Sequence, residues 1–160
     1  MPRKDDDAIF GAVMEVAIGV PGFCAELETE QELQIYLRDY NEAERTVVST
    51  WGVCNEVYDG GHWQLYINST GAWPPESVAG FNRISHPHIS VRVEKSLAVF
   101  LDWRTAVSTT RRRKVLRNVE EGNARFKDLD REFAKARECL FTVAQGRFAR
   151  DRADQLGISE

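Results

Sequence analysis

Val47, Trp51, Cys54 and Tyr58 recur at steps of four, three and four, and Asp59-Gly60-Gly61 follows directly. The spacing is that of one face of an α-helix. The glycine pair is where such a helix must end, because glycine reaches backbone conformations closed to residues with a Cβ. The start of the same helix is legible too. Asn41, with Glu44 three residues on, forms a capping box in which each side chain bonds the other residue's backbone amide. Thr29 and Glu32 repeat the arrangement and predict a shorter helix to about Tyr40, with Leu33, Tyr36 and Leu37 inward.

The same logic carries along the chain. Residues 7–18 bring Ile9, Phe10, Val13 and Ala17 to helical spacing before Gly19-Val20-Pro21-Gly22 breaks the pattern. His62 to Asn68 reads as a short aromatic helix stopped by Ser69-Thr70-Gly71. Pro74-Pro75-Glu76 then starts a helix to about Ile84. After Ser85-His86-Pro87-His88, the residues Ile89, Val93, Leu97 and Phe100 give a further face. Thr110 is a candidate cap before Arg111-Arg112-Arg113-Lys114, whose apolar edge is Val115, Leu116 and Val119. Beyond a break at Glu121-Gly122-Asn123, the residues Phe126, Leu129, Phe133, Ala136, Leu140 and Val143 are spaced almost as heptads, as in a long helix packed on others. No stretch alternates strictly. The expected fold is all-α, a single compact multi-helix domain of about seven or eight helices over residues 1–160, with residues 1–7 flexible.

Bulk properties narrow the class. A length of 160 residues with 42% hydrophobic and 29% charged side chains suits one globular domain with its own core. Met-Pro-Arg-Lys-Asp-Asp-Asp leads into no secretory pattern, and no apolar run is long enough for a membrane span, so no membrane association is expected. Three cysteines without short spacing, Cys54 and Cys139 within apolar helical patterns, read as small buried hydrophobes in a reducing cytoplasm. The net charge of −4 conceals a division: residues 1–103 hold 16 acids and 7 bases (−9), and residues 104–160 hold 9 acids and 14 bases (+5). Either an acidic surface is offered to a basic partner, or the two halves complement each other internally.

Between Glu56 and Glu76 stands E-V-Y-D-G-G-H-W-Q-L-Y-I-N-S-T-G-A-W-P-P-E. Glu56, Gln64, Asn68 and Ser69 are polar groups able to bond turn backbone, with Trp63, Tyr66 and Trp73 as apolar surface around them. This run resembles the signature of the bacterial DNA-mimic protein family: an acid, Asn-Gly-Gly-Phe, a glutamine, aromatics, Asn-Ser-x-Gly, and later Pro-Glu. Glu56, Gly60, Gly61, Gln64, Tyr66, Asn68, Ser69, Gly71, Pro75 and Glu76 match in order. Asp59 stands where asparagine is usual, and His62 where an aromatic is usual. The similarity continues through Leu97-Ala98-Val99-Phe100 and Phe126-Lys127-Asp128-Leu129-Asp130, covering about residues 40–140. The resemblance implies an all-α, often dimeric protein that shows acidic side chains to a DNA-binding protein in place of DNA phosphates. The motif itself reads first as a packing device.

A phosphate-like face would draw on Glu26, Glu28, Glu30, Glu32, Asp39, Glu42 and Glu44, against which residues 26–44 set only Arg38. Asp5, Asp6 and Asp7 extend it if the terminus is ordered. An ordinary account is available for part of the cluster. Glu30, Glu32, Glu42 and Glu44 lie in first helical turns, where an acid stabilises the helix by roughly 0.3–1 kcal/mol. The basic run Arg111–Lys114 reads as a solvated helix face rather than a phosphate grip in this net acidic chain, and no direct nucleic-acid binding is expected. His62, His86 and His88 have no zinc-type spacing and read as capping or surface groups. Glu56 and His62 form at most an acid–base couple lacking a nucleophile or oxyanion donor. No catalytic residues, metal site or cofactor are therefore expected. The sequence points to a non-catalytic protein-binding module, a DNA mimic or, alternatively, an immunity protein that plugs a toxin. A third reading, an enzyme or small-ligand binder, would use the Glu56–Trp73 region and needs a deep pocket there.

Overall fold

The computed structural model describes residues 25–117, 122–135 and 144–158, together with Gly11 and Glu15. The rest of the expected helix over residues 7–18, Asp5 to Asp7, Cys24, Cys139, and the heptad positions Ala136, Leu140 and Val143 lie outside the described residues. The described chain is all helical. Helix α1 is Glu30–Arg38, α2 is Glu42–Ile67, α3 is Pro74–Arg83, α4 is Pro87–Leu97, α5 is Trp103–Val107, α6 is Thr109–Arg117, α7 is Gly122–Lys135 and α8 is Ala144–Asp151. Two short 3₁₀ turns, Ser69–Ala72 and Ala98–Phe100, lie between them.

Both capping boxes form as the sequence implies. The Thr29 hydroxyl accepts from the Glu32 amide at 3.1 Å and Glu32 accepts from the Thr29 amide at 3.0 Å. Asn41 and Glu44 exchange bonds of 3.0 and 2.8 Å in the same way. Helix α3 ends in a Schellman closure: Ser85 adopts φ 64°, and the His86 amide bonds the Phe81 carbonyl at 2.7 Å.

Helix α2 is the axis of the molecule. Ala43, Thr46, Val47, Val48, Ser49, Thr50, Gly52, Val53 and Cys54 are all buried, so its first half is covered on every side rather than along the single face the spacing predicts. Its hydroxyls are satisfied within the helix: Thr46 donates to the Glu42 carbonyl and Thr50 to the Thr46 carbonyl, each at 2.7 Å. Of the four residues that define the predicted face, Val47 and Cys54 are fully buried, Trp51 is half-buried and Tyr58 is 38% exposed, packed edge-on against Phe133.

Helix α3 crosses α2 closely at Gly80, where a Cβ would stand 2.8 Å from the Thr50 methyl. On another side α8 brings Gln145 to the Thr50 hydroxyl at 2.7 Å and Ala149 against Ala43 and Val47. Helix α7 sets Phe126 and Phe133 into the main core with Val53, Leu65, Tyr66, Phe81 and Ile89. Each such buried aromatic or branched side chain contributes about 1.5–3 kcal/mol. A second core gathers Leu33 and Leu37 of α1 with Trp73 and Val107.

Three local expectations are corrected. Phe100 is buried but belongs to a 3₁₀ turn after α4. The cap of α6 is Ser108, whose hydroxyl accepts from the Arg111 amide at 3.2 Å, while Thr110 lies inside the helix. Helix α5 goes unpredicted; Asp102 caps it by accepting from the Arg104 amide at 3.0 Å. Among the described residues, no helix is long and apolar enough to cross a membrane.

Candidate functional site

The glycine pair bends α2 rather than ending it. Gly60 has φ −157° and ψ 20°, Gly61 has φ 75° and ψ −178°, and helix resumes immediately afterwards. The Gly61 conformation is one that residues with a Cβ resist. Asp130 of α7 sits against the bend, its Oδ1 accepting from the His62 amide at 2.8 Å and lying 2.6 Å from His62 Nδ1. A Cβ on Gly61 would stand 2.7 Å from Asp130 Oδ2. His62 is fully buried, stacked on Phe126 at 5.8 Å and edge-on to Phe133 at 5.7 Å. It fills an aromatic place in the core, which overturns its reading as a surface or capping group.

Glu56, one turn before the bend, turns to the far side of it. Its Oε2 accepts from Gln64 Nε2 at 3.0 Å and Asn68 Nδ2 at 2.9 Å, and its Oε1 from the Thr70 hydroxyl at 2.8 Å. The partners are side chains, not turn backbone, and Thr70 rather than Ser69 supplies the hydroxyl. Glu56 and His62 therefore form no acid–base couple; each is held by different groups. Asp59 is exposed beside the bend. Leu65, Tyr66, Ala72 and Trp73 are buried around it, so the segment is packed with side chains.

Arg112 overturns the solvated-face reading of the basic run. It is fully buried. Its Nε donates to the Tyr66 carbonyl at 2.6 Å, Nη2 to the Asn68 carbonyl at 2.7 Å, and Nη1 to the carbonyls of Ala106 and Val107 at 2.5 and 3.1 Å. Gly71 makes room for it, since a Cβ there would lie 2.5 Å from Arg112 Nε. Burial, with Arg113 alongside, lowers the Arg112 pKa to about 10, which leaves it protonated at neutral pH. Arg113 is half-buried, donating to the Ile67 carbonyl at 2.9 Å; Arg111 and Lys114 are exposed. The sequence held a signal for this. Arg112 lies three and four residues before Val115 and Leu116, in phase with the apolar edge of its helix. Asp130 carries the same kind of signal, four residues after Phe126 and three before Phe133 on the apolar face of its helix.

The seven acids of residues 26–44 divide by what holds them. Four face arginine: Glu26 with Arg113 at 2.6 Å, Glu30 with Arg104 at 3.4 Å, Asp39 with Arg38 at 3.5 Å, and Glu42 with Arg83 at 3.5 Å. Arg83 also approaches Glu76 at 3.7 Å. The other three meet only neutral donors among the described residues. Glu32 and Glu44 close their capping boxes, and Glu28 accepts from the Ser108 hydroxyl at 2.7 Å and from the Thr110 hydroxyl and amide at 2.8 and 3.0 Å. Partial burial pushes the Glu28 pKa up, but these hydrogen bonds and the charge of Arg112 outweigh it, and the net shift is downward. Glu26, Glu28 and Glu30 all meet the positive C-terminal third, so internal complementarity accounts for part of the charge division.

His86 precedes α4 but makes no side-chain cap bond; its ring lies edge-on to His88 at 5.3 Å. Burial and His88 lower its pKa. Cys54 is a buried free thiol whose pKa burial pushes up. No group of three or more His, Cys, Asp or Glu among the described residues is placed to hold a metal ion.

A family model described as "DMP19-like protein" matches residues 38–152. The match takes in the bend, Glu56, Arg112 and Asp130, and leaves Glu26, Glu28, Glu30 and Glu32 before its start. No curated protein and no solved structure matches the chain.

Proposed function

The chain belongs to the DMP19-like protein family, and from that premise we propose that it is a non-catalytic protein-binding module that presents carboxylates to a DNA-binding protein as DNA presents phosphates. The face consists of Glu26, Glu28, Glu30, Glu32, Asp39, Glu42 and Glu44. The observation that carries this reading is the state of Glu28, Glu32 and Glu44. Each is exposed or half-buried and fixed by hydrogen bonds, and none is within salt-bridge distance of a cation among the described residues. A carboxylate pinned by neutral donors keeps its charge and loses its freedom, which is what a phosphate on a stiff duplex offers a basic partner.

The test is affinity capture of the tagged protein from its native lysate in low salt, eluted with duplex DNA. Release of a DNA-binding protein is expected. Its capture by a variant carrying Glu28→Gln, Glu32→Gln and Glu44→Gln should fall sharply, because glutamine removes all three charges while keeping the capping geometry at Glu32 and Glu44. A partner that saturating DNA does not displace would overturn mimicry and favour the toxin-neutralising alternative.

A further inference from the structure

Beside the acidic residues of α1, the helices α1, α3 and α4 enclose a solvent-open groove of about 520 Å³. Its accessible apolar wall is Pro75 and Val78 of α3 with Ala98 and Leu101, over a floor of the buried Leu33, Leu37 and Leu97. Three carboxylates, Glu76, Glu94 and Asp102, line it, and no lysine, arginine or histidine does. Glu76 and Asp102 have arginines only at 3.7 and 3.9 Å, and Glu94 is exposed with no ion-pair partner among the described residues.

Leu101 is the unusual member. It has φ 60° and ψ −35°, and the Asp102 amide reaches back to the Phe100 carbonyl at 2.6 Å. This is the rare, strained γ-turn of positive φ, which a leucine adopts only under constraint. The constraint is visible on both sides, with Phe100 in the core and Asp102 capping α5. The side chain so placed is 99% exposed. A strained backbone thus holds a bare leucine at the lip of an apolar groove lined only by negative charge.

We propose that this groove docks an amphipathic helix of another protein, one carrying an apolar stripe at i, i+3 or i+4, and i+7 flanked by lysine or arginine. The stripe covers Leu101, Ala98, Pro75 and Val78, and the flanking cations meet Glu94, Asp102 and Glu76. The proposal goes beyond the acidic-face reading: its pocket contains none of those seven residues.

The test uses the full chain and two labelled synthetic helical peptides, one with leucines along a stripe and lysines on its flanks, the other with glutamates in place of the lysines. Fluorescence anisotropy should show saturable, salt-sensitive binding of the leucine–lysine peptide and none of the leucine–glutamate peptide. Leu101→Asn, which suits the positive φ, should leave the melting temperature unchanged or raised and weaken binding roughly tenfold or more, as expected for removing one buried leucine. Absence of saturable binding, equal binding of both peptides, or undiminished binding by a folded Leu101→Asn variant would each overturn the proposal. Leu101 lies outside the seven carboxylates, so the loss of binding read with Leu101→Asn is distinguishable from the outcome of the DNA-displacement experiment.

Discussion

Glu56 and Glu32 are the same residue in two regions that use it differently. At the bend, Glu56 reaches across a break in the helix to Gln64, Asn68 and Thr70. At the start of α1, Glu32 bonds the amides of Glu28 and Thr29 within its own turn. The first arrangement exists only when the chain has folded back on itself, and its members are half-buried, with Thr70 buried. The second is local and solvated. Buried polar networks are costly to break and exposed caps are cheap to alter. The bend is therefore the region that fixes the architecture, and the acidic edge is the region free to specialise in binding.

The sharpest way to break that contrast is Arg112→Met. Four backbone carbonyls would lose the Arg112 donor, of which the Asn68 carbonyl keeps the Gly71 amide at 3.1 Å, and each unsatisfied buried group costs about 1–3 kcal/mol. A destabilisation on the order of 3–5 kcal/mol, or outright failure to fold, is expected by urea titration. Arg111→Met, one residue away and exposed, should change stability by less than about 0.5 kcal/mol. Next is Gly61→Val, which imposes a β-branched residue on φ 75° and pushes Asp130 from the His62 amide. A loss of about 2–4 kcal/mol is expected, and unchanged melting would mean the bend is not formed this way.

Glu56→Gln presents an NH₂ group where three donors converge, and should cost about 1–3 kcal/mol. Glu32→Gln keeps its acceptor and should cost roughly 0.5 kcal/mol or less. If the two losses proved equal, the distinction between the regions would fail.

The smallest effect is one of pH. Because the folded-state pKa of Glu28 is depressed, its contribution is fully present above the ordinary glutamate value of about 4.5 and is lost as pH falls through the folded value. Glu28→Gln should therefore flatten the acid limb of a stability–pH profile below that value while leaving the rest of its shape unchanged.

What the sequence made legible follows the same division. The two capping boxes were readable in full because each involves side chains and amides three residues apart. The position of the glycine break was readable too, since glycine pairs interrupt helices for local reasons. Whether the chain would end its helix there or bend was not, because the answer depends on Asp130 and Arg112, far along the chain. His62 was misread for a related reason: a lone histidine carries no mark of whether two phenylalanines wait beside it. Trp51 shows the converse error. It lies in phase with Val47 and Cys54, but α2 is covered on all sides, so phase alone did not rank burial. The acidic residues were all identified by position, whereas the sorting into arginine-paired and neutrally held carboxylates required knowing where α5, α6 and α3 would lie.

The five N–H groups of Arg112 also have a consequence for motion. One side chain terminates hydrogen bonds from the end of α2, from the residue after it, and from the junction of α5 and α6. These stretches cannot open one at a time without stranding a guanidinium. Amide hydrogen exchange is expected to show one cooperative unit, with the segments around residues 66–68 and 106–112 sharing a single opening free energy despite the 37 residues of chain between them.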